Sequence, residues 1–294
     1  MGNKLEIKLD KADRILLAEL DKNCRVPLSA LAKKTRKSRQ SVEYRIRRLV
    51  SEGIITSFNA AINPHKMGYK IYKLYAQIKN LPEEKKRLFS FLRKSPRVYW
   101  IGECDGAWDV VFGVFAKSDY EFYALKNEIL SEFGGILVKI HGDALLDAMQ
   151  YPKMYFTGEL AGPVKFGGEI AENALDELDH RILGLVVNNA RMPITEIAQK
   201  VGSTPPTVSG RLRKMEKLGV IIQYRISVDM GAMGLEYYKA IFHLERYTKN
   251  DEKEFLAYFS SIPGIPYFIR NLWEIESELV LGSYAEYHEL IDRI

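Results

Sequence analysis

Five histidines and two cysteines are the residues most able to ligate a metal or to carry acid–base or nucleophilic chemistry, and this chain scatters them. His65, His141, His180, His243 and His288 form no acid–base or metal-spaced group, and Cys24 and Cys104 make no CxxC pair. A zinc knuckle, a disulfide framework and a clustered catalytic pair are not expected, and a reducing cytoplasm is the expected setting. The cations behave differently. Lys33, Lys34, Arg36, Lys37, Arg39, Arg45, Arg47 and Arg48 crowd into sixteen residues against one acid, Glu43, although all 294 residues together carry a formal charge of only +5. Such a run is often just a solvated face. On a helix that fits the DNA major groove, its Arg, Gln and Ser side chains would reach phosphates and base edges.

The sequence supplies that helix twice. SVEYRIRRLVSEGII at 41–55 returns as TVSGRLRKMEKLGVI at 207–221, and a shift of 166 residues brings 9–69 into register without a gap. Leu9-Asp10 falls on Leu175-Asp176, Asp13 on Asp179 and Leu17 on Leu183. Arg25-x-Pro27 falls on Arg191-x-Pro193, Ala32-x-Lys34 on Ala198-x-Lys200, and Met67-Gly68 on Met233-Gly234. The match continues more loosely through Tyr72-Lys73 on Tyr238-Lys239 and VVFGVFA (110–116) on LVLGSYA (279–285). The chain is a tandem duplication.

Asp10 or Asp176 opens a helix with an apolar face, Ile15, Leu16 and Leu20 or Ile182, Leu183 and Val186. A short second helix follows the Arg-x-Pro, carrying Leu28, Leu31 and Ala32 or Ile194, Ile197 and Ala198. Ser38 or Thr204 is placed to cap a third, with Pro205 at its first helical position in the second copy. That third helix buries Val42, Ile46 and Leu49, or Val208, Leu212 and Met215. Gly53 or Gly219 ends it and a small β wing follows. This is a helix-turn-helix pattern. Its candidate DNA-binding residues are Ser38, Arg39, Gln40, Glu43, Tyr44, Arg47 and Arg48, and in the second copy Thr204, Pro205, Pro206, Ser209, Arg213 and Lys214. The second helix has fewer charges, and Gly210 in place of Tyr44 weakens it by roughly 1 kcal/mol.

Residues 70–146 change period. KIYKLYAQIK reads as a strand, PEEKKRLFSFLRKS as an amphipathic helix, and VYWIGEC and WDVVFGVFA as strands joined at Asp105-Gly106. DYEFYALKNEILSEF is helical again and ILVKIHGDALL strand-like, giving the split βαββαβ order. The expected fold class is α+β, with two winged helix-turn-helix domains (1–62 and 175–228) alternating with two ferredoxin-like domains (63–156 and 229–294). The Gly- and Pro-containing stretch 157–174 reads as a linker. YHELIDRI closes the sequence where the first copy goes on to a fourth strand, so the second sheet is expected to have an open edge.

LDKADRILLAELDKNCRVPLSALA, SVEYRIRRLVSEGIITSFNAAINPHKMGY and STPPTVSGRLRKMEKLGVI, followed by βαββαβ units, resemble the Lrp/AsnC (feast/famine, leucine-responsive) transcriptional regulators over nearly the whole chain, twice. That family usually has one such unit per chain. The resemblance implies sequence-specific binding of double-stranded DNA by the helical units. It also implies a homodimer or an intrachain pseudo-dimer through the sheets, and often amino-acid sensing. The family's effector pocket lies near a Gly-x-Tyr-Asp motif. GAWD fits it here through Gly106, Trp108 and Asp109, with Trp in place of Tyr, whereas the second copy has IESE at 275–278 and no such pocket is expected. No metal and no cofactor beyond such an effector is expected, and no apolar run approaches a membrane span. Siroheme decarboxylases resemble the same architecture but carry a pair of arginines at the wing, where this chain has Thr56-Ser57 and Ile222-Gln223. An enzyme of that kind is the rival reading, and an effector-binding or assembly module without DNA contact is a third.

Overall fold

The computed structural model describes residues 9–153, 156–158, 162–243, 248–262 and 264–294; the expected domain start at 1–8 and linker positions 159–161 lie outside them. Helices α1 (Lys11–Lys22), α2 (Leu28–Thr35) and α3 (Arg39–Ser51) lead into strand β1 (Ile55–Ile62). The split βαββαβ pattern follows as β2 (Lys70–Ile78), α4 (Pro82–Lys94), β3 (Val98–Glu103), β4 (Val110–Ala116), α5 (Asp119–Phe133) and β5 (Leu137–Gln150). After β6 (Val164–Gly167) the plan repeats with α6 (Glu177–Val186), α7 (Ile194–Lys200), α8 (Pro205–Lys217) and β7 (Ile221–Val228). The second sheet unit contains β8 (Glu236–His243), α9 (Lys249–Ser260), β9 (Tyr267–Asn271), β10 (Glu274–Leu281) and α10 (Tyr284–Ile291).

The two helical units are not independent domains. Leu16, Leu20, Val42 and Leu49 of the first share one buried cluster with Ile182, Val186, Val208 and Met215 of the second. Their wings also depart from the expected form. Each unit has a single wing strand with no return strand to pair with, and β1 instead pairs antiparallel with β7. Ile55 lies opposite Val228 and Ile62 opposite Ile221, so repeat-equivalent ends are exchanged and the two units are related by an approximate internal two-fold axis. The duplicated Arg-x-Pro arginines clamp this arrangement reciprocally. Arg25 donates to the carbonyls of Ala190 and Met192, while Arg191 donates to Cys24 O at 2.6 Å. Asp21 breaks the symmetry: fully buried, it holds Arg225 of β7 at 2.9 Å and also pairs with Lys153.

The remaining strands form a second sheet in the order β3-β4-β2-β5-β9-β10-β8, with β6 on β5. The first four give the expected ferredoxin-like order, with α4 and α5 over a core of Leu74, Phe112, Leu88 and Ile129. Long β5 pairs with β2 over its first part and with β9 over its last, which joins the two halves through backbone hydrogen bonds. Among the described residues β8 is the last strand of this order. The stretch read as a linker is docked instead. Val164–Gly167 pairs with Asp147–Gln150, and the amide of Asn63 donates to Gly167 O at 3.1 Å. Gly167, at φ +80°, passes so close that a Cβ would sit 2.7 Å from Asp147 Cα. Only glycine fits there.

The face of the sheet not covered by helices closes on itself. Lys73 of β2 reaches Glu276 of β10 at 2.8 Å, although two strands separate them in the sheet order. Lys239, the repeat equivalent of Lys73, meets the same Glu276 oxygen at 2.8 Å and Glu278 at 2.9 Å. Tyr75 and Asn271 also donate to Glu276. Burial alone would raise the Glu276 carboxyl, but Lys73 and Lys239 outweigh it and hold the group below the usual range. Burial pushes Lys73 down to about 8, against the opposing pull of Glu276.

Candidate nucleic-acid interface

The helix-turn-helix is assembled by reciprocal capping. Asp10 accepts from the Asp13 amide at 2.9 Å and Asp13 from the Asp10 amide at 3.2 Å; Asp176 and Asp179 repeat this with the same two lengths. Ser38 accepts from the Ser41 amide at 3.1 Å, and Thr204 from the Thr207 amide. Both recognition helices therefore begin with an ordered N-terminus suited to phosphate.

Each recognition helix then divides its cations between two tasks. Arg45 and Arg48 turn inward to Asp13, at 2.7 and 2.6 Å, and Asp13 is fully buried. Arg211 and Lys214 reach Asp179 in the second unit, at 3.3 and 2.9 Å. Of the assigned residues, Arg48 and Lys214 each tie their recognition helix to the first helix of its unit, because a buried carboxylate requires a cation, while their side chains stay 29% and 40% exposed. What remains outward on α3 is Arg39, Gln40, Tyr44 and Arg47, the last with its side chain 78% exposed. Glu43 holds Arg47 in an exposed i,i+4 pair at 2.5 Å, a contact worth only a few tenths of a kcal/mol. Of the residues assigned on α8, Pro205, Pro206 and Arg213 are outward, whereas Ser209 is half-buried.

One further residue emerges from the backbone. Arg36, in the turn before α3, has φ +54°, the only described non-glycine residue at positive φ. Its repeat equivalent is Gly202, at φ +61°. A left-handed arginine costs on the order of 1 kcal/mol relative to glycine, so an exposed cation is kept here at the expense of backbone strain. The signal was present in the aligned repeat, where Arg36 stands against the residue that the turn prefers.

The expected effector motif is only partly free. Asp109 accepts from the Ile78 amide at 2.7 Å, and its own amide donates to Ala76 O at 3.0 Å, so it secures the end of β2 against the hairpin. Gly106 sits in the exposed turn at φ +125°. Trp108 alone faces other side chains, 5.8 Å from Tyr75 and 6.2 Å from His141, with the Lys139 ammonium 5.0 Å from its ring. Among the described residues no three His, Cys, Asp or Glu side chains are grouped to hold a metal, and no helix is long and apolar enough to cross a membrane.

A capped, outward-facing basic helix on a three-helix core, with a strand at its end, defines a winged helix-turn-helix protein of the DNA-binding class. Residues 9–56 match the winged helix-turn-helix DNA-binding family and residues 175–216 the AsnC-type helix-turn-helix domain. An uncharacterised HTH-type transcriptional regulator of Pyrococcus furiosus is 35% identical over 130 residues, covering 44% of this chain and 87% of that protein. The HTH-type transcriptional regulator LrpC of Bacillus subtilis is 31% identical over 97 residues, covering 33% of this chain and 65% of LrpC. The chain belongs to the Lrp/AsnC family of transcriptional regulators, with the unit duplicated. In fold it is also similar to the siroheme decarboxylase NirDL, with a TM-score of 0.65 and 13% identity over 97% of this chain and 86% of that one.

Proposed function

We propose that this DNA-binding regulator sets both recognition helices of one chain on a single duplex, reading two unlike half-sites. The observation that carries this reading is the division of cations on α3. Arg45 and Arg48 are spent on Asp13, while Arg39, Gln40 and Arg47 stand free of the protein core on the outward face. The shared core, the β1–β7 pair and the reciprocal Arg25 and Arg191 contacts support a fixed spacing between the units. A family homodimer would present two identical helices. Here Arg39-Gln40 and Pro205-Pro206 occupy equivalent positions and cannot make the same base contacts. The bound site is therefore non-palindromic, and one chain acts as an intrachain pseudo-dimer. A cytoplasmic setting goes with this reading, since the partner is DNA. An amino-acid effector, where one acts, would meet Trp108 beside Tyr75 and His141 rather than Asp109.

The test is DNA affinity of the full chain on fragments selected from genomic DNA by the protein itself. Arg47→Ala should weaken binding by about 1–3 kcal/mol if the guanidinium contacts a base. Unchanged affinity in Arg39→Ala and Arg47→Ala alike would remove the reading. The fold likeness to NirDL favours a second reading, an enzyme acting on a tetrapyrrole. A saturable shift of the porphyrin absorption band on adding the protein would support the enzyme reading.

A further inference from the structure

The stretch that joins the two halves is bonded along the turn that leads from β1 to β2. Asn63 forms a reciprocal pair with one glycine: its amide nitrogen donates to Gly167 O at 3.1 Å, and its Oδ1 accepts from the Gly167 amide at 3.0 Å. The His65 ring follows one residue further on, with Nδ1 2.7 Å from Gly168 O. Backbone continues the contact. The Ala171 amide donates to His65 O at 2.8 Å, and the Asn173 amide and side chain donate to Lys66 O at 3.3 and 2.8 Å. This turn, Pro64–Lys66, connects the first helix-turn-helix unit to the sheet. The repeat equivalents of Asn63 and His65 are Asp229 and Gly231, which bring neither an amide donor nor a ring. The side-chain donors that hold residues 167–173 are therefore a property of the first copy.

His65 is the member of this contact that can titrate. A carbonyl oxygen only accepts, so the bond to Gly168 O places a proton on Nδ1 and leaves Nε2 as the bare nitrogen of a neutral ring. The ring is buried, and among the described residues Nε2 has no hydrogen-bonding partner. A second proton would put a charged N–H there without an acceptor, which is costly. Burial first, and then Lys66, oppose the charged ring against the pull of Gly168 O and Asp147, and the imidazole lies below its ordinary value. Asp147 is itself shared by Lys165 and Arg270, at 2.8 and 2.5 Å. The other charges on the elements around the ring are engaged elsewhere: Arg225 on β7 with Asp21, Lys70 and Lys73 on β2 with Asp119 and Glu276, Glu172 with Lys117. Glu169 faces solvent.

We propose that residues 167–173 are an acid-released strap: with His65 neutral they hold the turn between the first helix-turn-helix unit and the sheet, and a proton on His65 breaks that hold. Once the strap lifts, Nε2 meets water and the ring carries its charge freely. The open form then takes up a proton at the ordinary imidazole value near 6.5, whereas the closed form resists it. Closure is therefore undiminished above about pH 6.5. It weakens as pH falls below that value toward the lower value of the closed form, by at most about tenfold per pH unit. The device does not rest on the DNA-binding reading, because opening is measured without DNA.

Hydrogen–deuterium exchange of the full chain at pH 7.5 and 5.5, with each rate corrected for the intrinsic pH dependence of amide exchange, tests it. The amides of Gly167, Gly168, Ala171 and Asn173 are bonded in the closed strap and report its opening. Their protection should fall several-fold, up to about tenfold, at the lower pH, while that of β4 should not change. His65→Asn keeps a side-chain N–H for Gly168 O and cannot titrate, so its strap should be equally protected at both pH values. Should that variant not fold, the wild-type strap compared with β4 still decides. Equal strap protection at both pH values in the wild type, a loss that extends to β4, or the same pH dependence in His65→Asn would overturn the proposal.

Discussion

The two helix-turn-helix units share a scaffold and differ in what they show to the outside. The scaffold parts are duplicated in kind: the capping boxes at Asp10 and Asp176, the inward cations on Asp13 and Asp179, the glycine stops at Gly53 and Gly219. The outward parts are not. Lys33, Arg36, Lys37, Arg39 and Tyr44 of the first unit face solvent where the second has Gln199, Gly202, Ser203, Pro205 and Gly210. The two copies agree at the residues that hold the fold and differ on the outward face. The first unit carries the more basic outward face. The second offers a leaner face, with Arg213 outward and a capped helix N-terminus at Thr204.

The largest effect should come from the residue that joins the units and has no counterpart in the repeat. Asp21 stands where the second copy has Val187, and Asp21→Val would leave Arg225 and Lys153 buried without their carboxylate. A loss of about 3–5 kcal/mol in urea unfolding is expected; a neutral result would mean that the units do not depend on that bond. Acid should act on the same contact. Burial alone would raise the Asp21 carboxyl, but Lys153 and then Arg225 outweigh it and hold the group below its ordinary value. A depressed carboxyl contributes stability that is present above its unfolded value near 3.9 and lost as pH falls through its lower folded value. The wild type should therefore lose stability below about pH 4, and Asp21→Val should flatten that part of the profile.

Next in size is the asymmetry in DNA contact. Arg39→Ala or Arg47→Ala should cost about 1–3 kcal/mol of binding by fluorescence anisotropy, and Arg213→Ala less. Equal losses from the two units would break the comparison. Salt titration sharpens it: each phosphate-contacting lysine removed from Lys33, Lys34 or Lys37 should lower the slope of log K against log salt by about one. Smallest is a trade between fold and function at the turn. Arg36→Gly relieves a left-handed backbone and should stabilise the protein by roughly 0.5–1 kcal/mol while weakening DNA binding. A variant that gains stability with no loss of affinity would show that Arg36 touches no DNA.

Much of this architecture could be read from residue spacing. The duplication, the capped third helix and the βαββαβ order follow from periodicities of 3.6 and 2, which local physics imposes. What escaped the reading is what depends on the second half lying against the first. The wing strands were visible, but not that β1 and β7 pair with each other. Arg25 and Arg191 stood out as a repeated motif, yet their work is done across 166 residues of sequence. Arg48 and Lys214 were legible as cations on the third helices, but not their ties to the buried Asp13 and Asp179 on the first helix of each unit. The IESE stretch read as a lost motif, whereas Glu276 is the meeting point of Lys73 and Lys239. The aligned lysines were the available clue, since two cations repeated on strand positions need a common acid.

The account turns on one chain placing both recognition helices on the same duplex. Hydroxyl-radical footprinting of the full-length protein on a selected genomic fragment measures this directly. Two protected tracts of different sequence are expected on one face of the DNA, about one helical turn or a whole number of turns apart, with the weaker tract fading in Arg213→Ala. A single protected tract, unaltered by any change on α8, would contradict it.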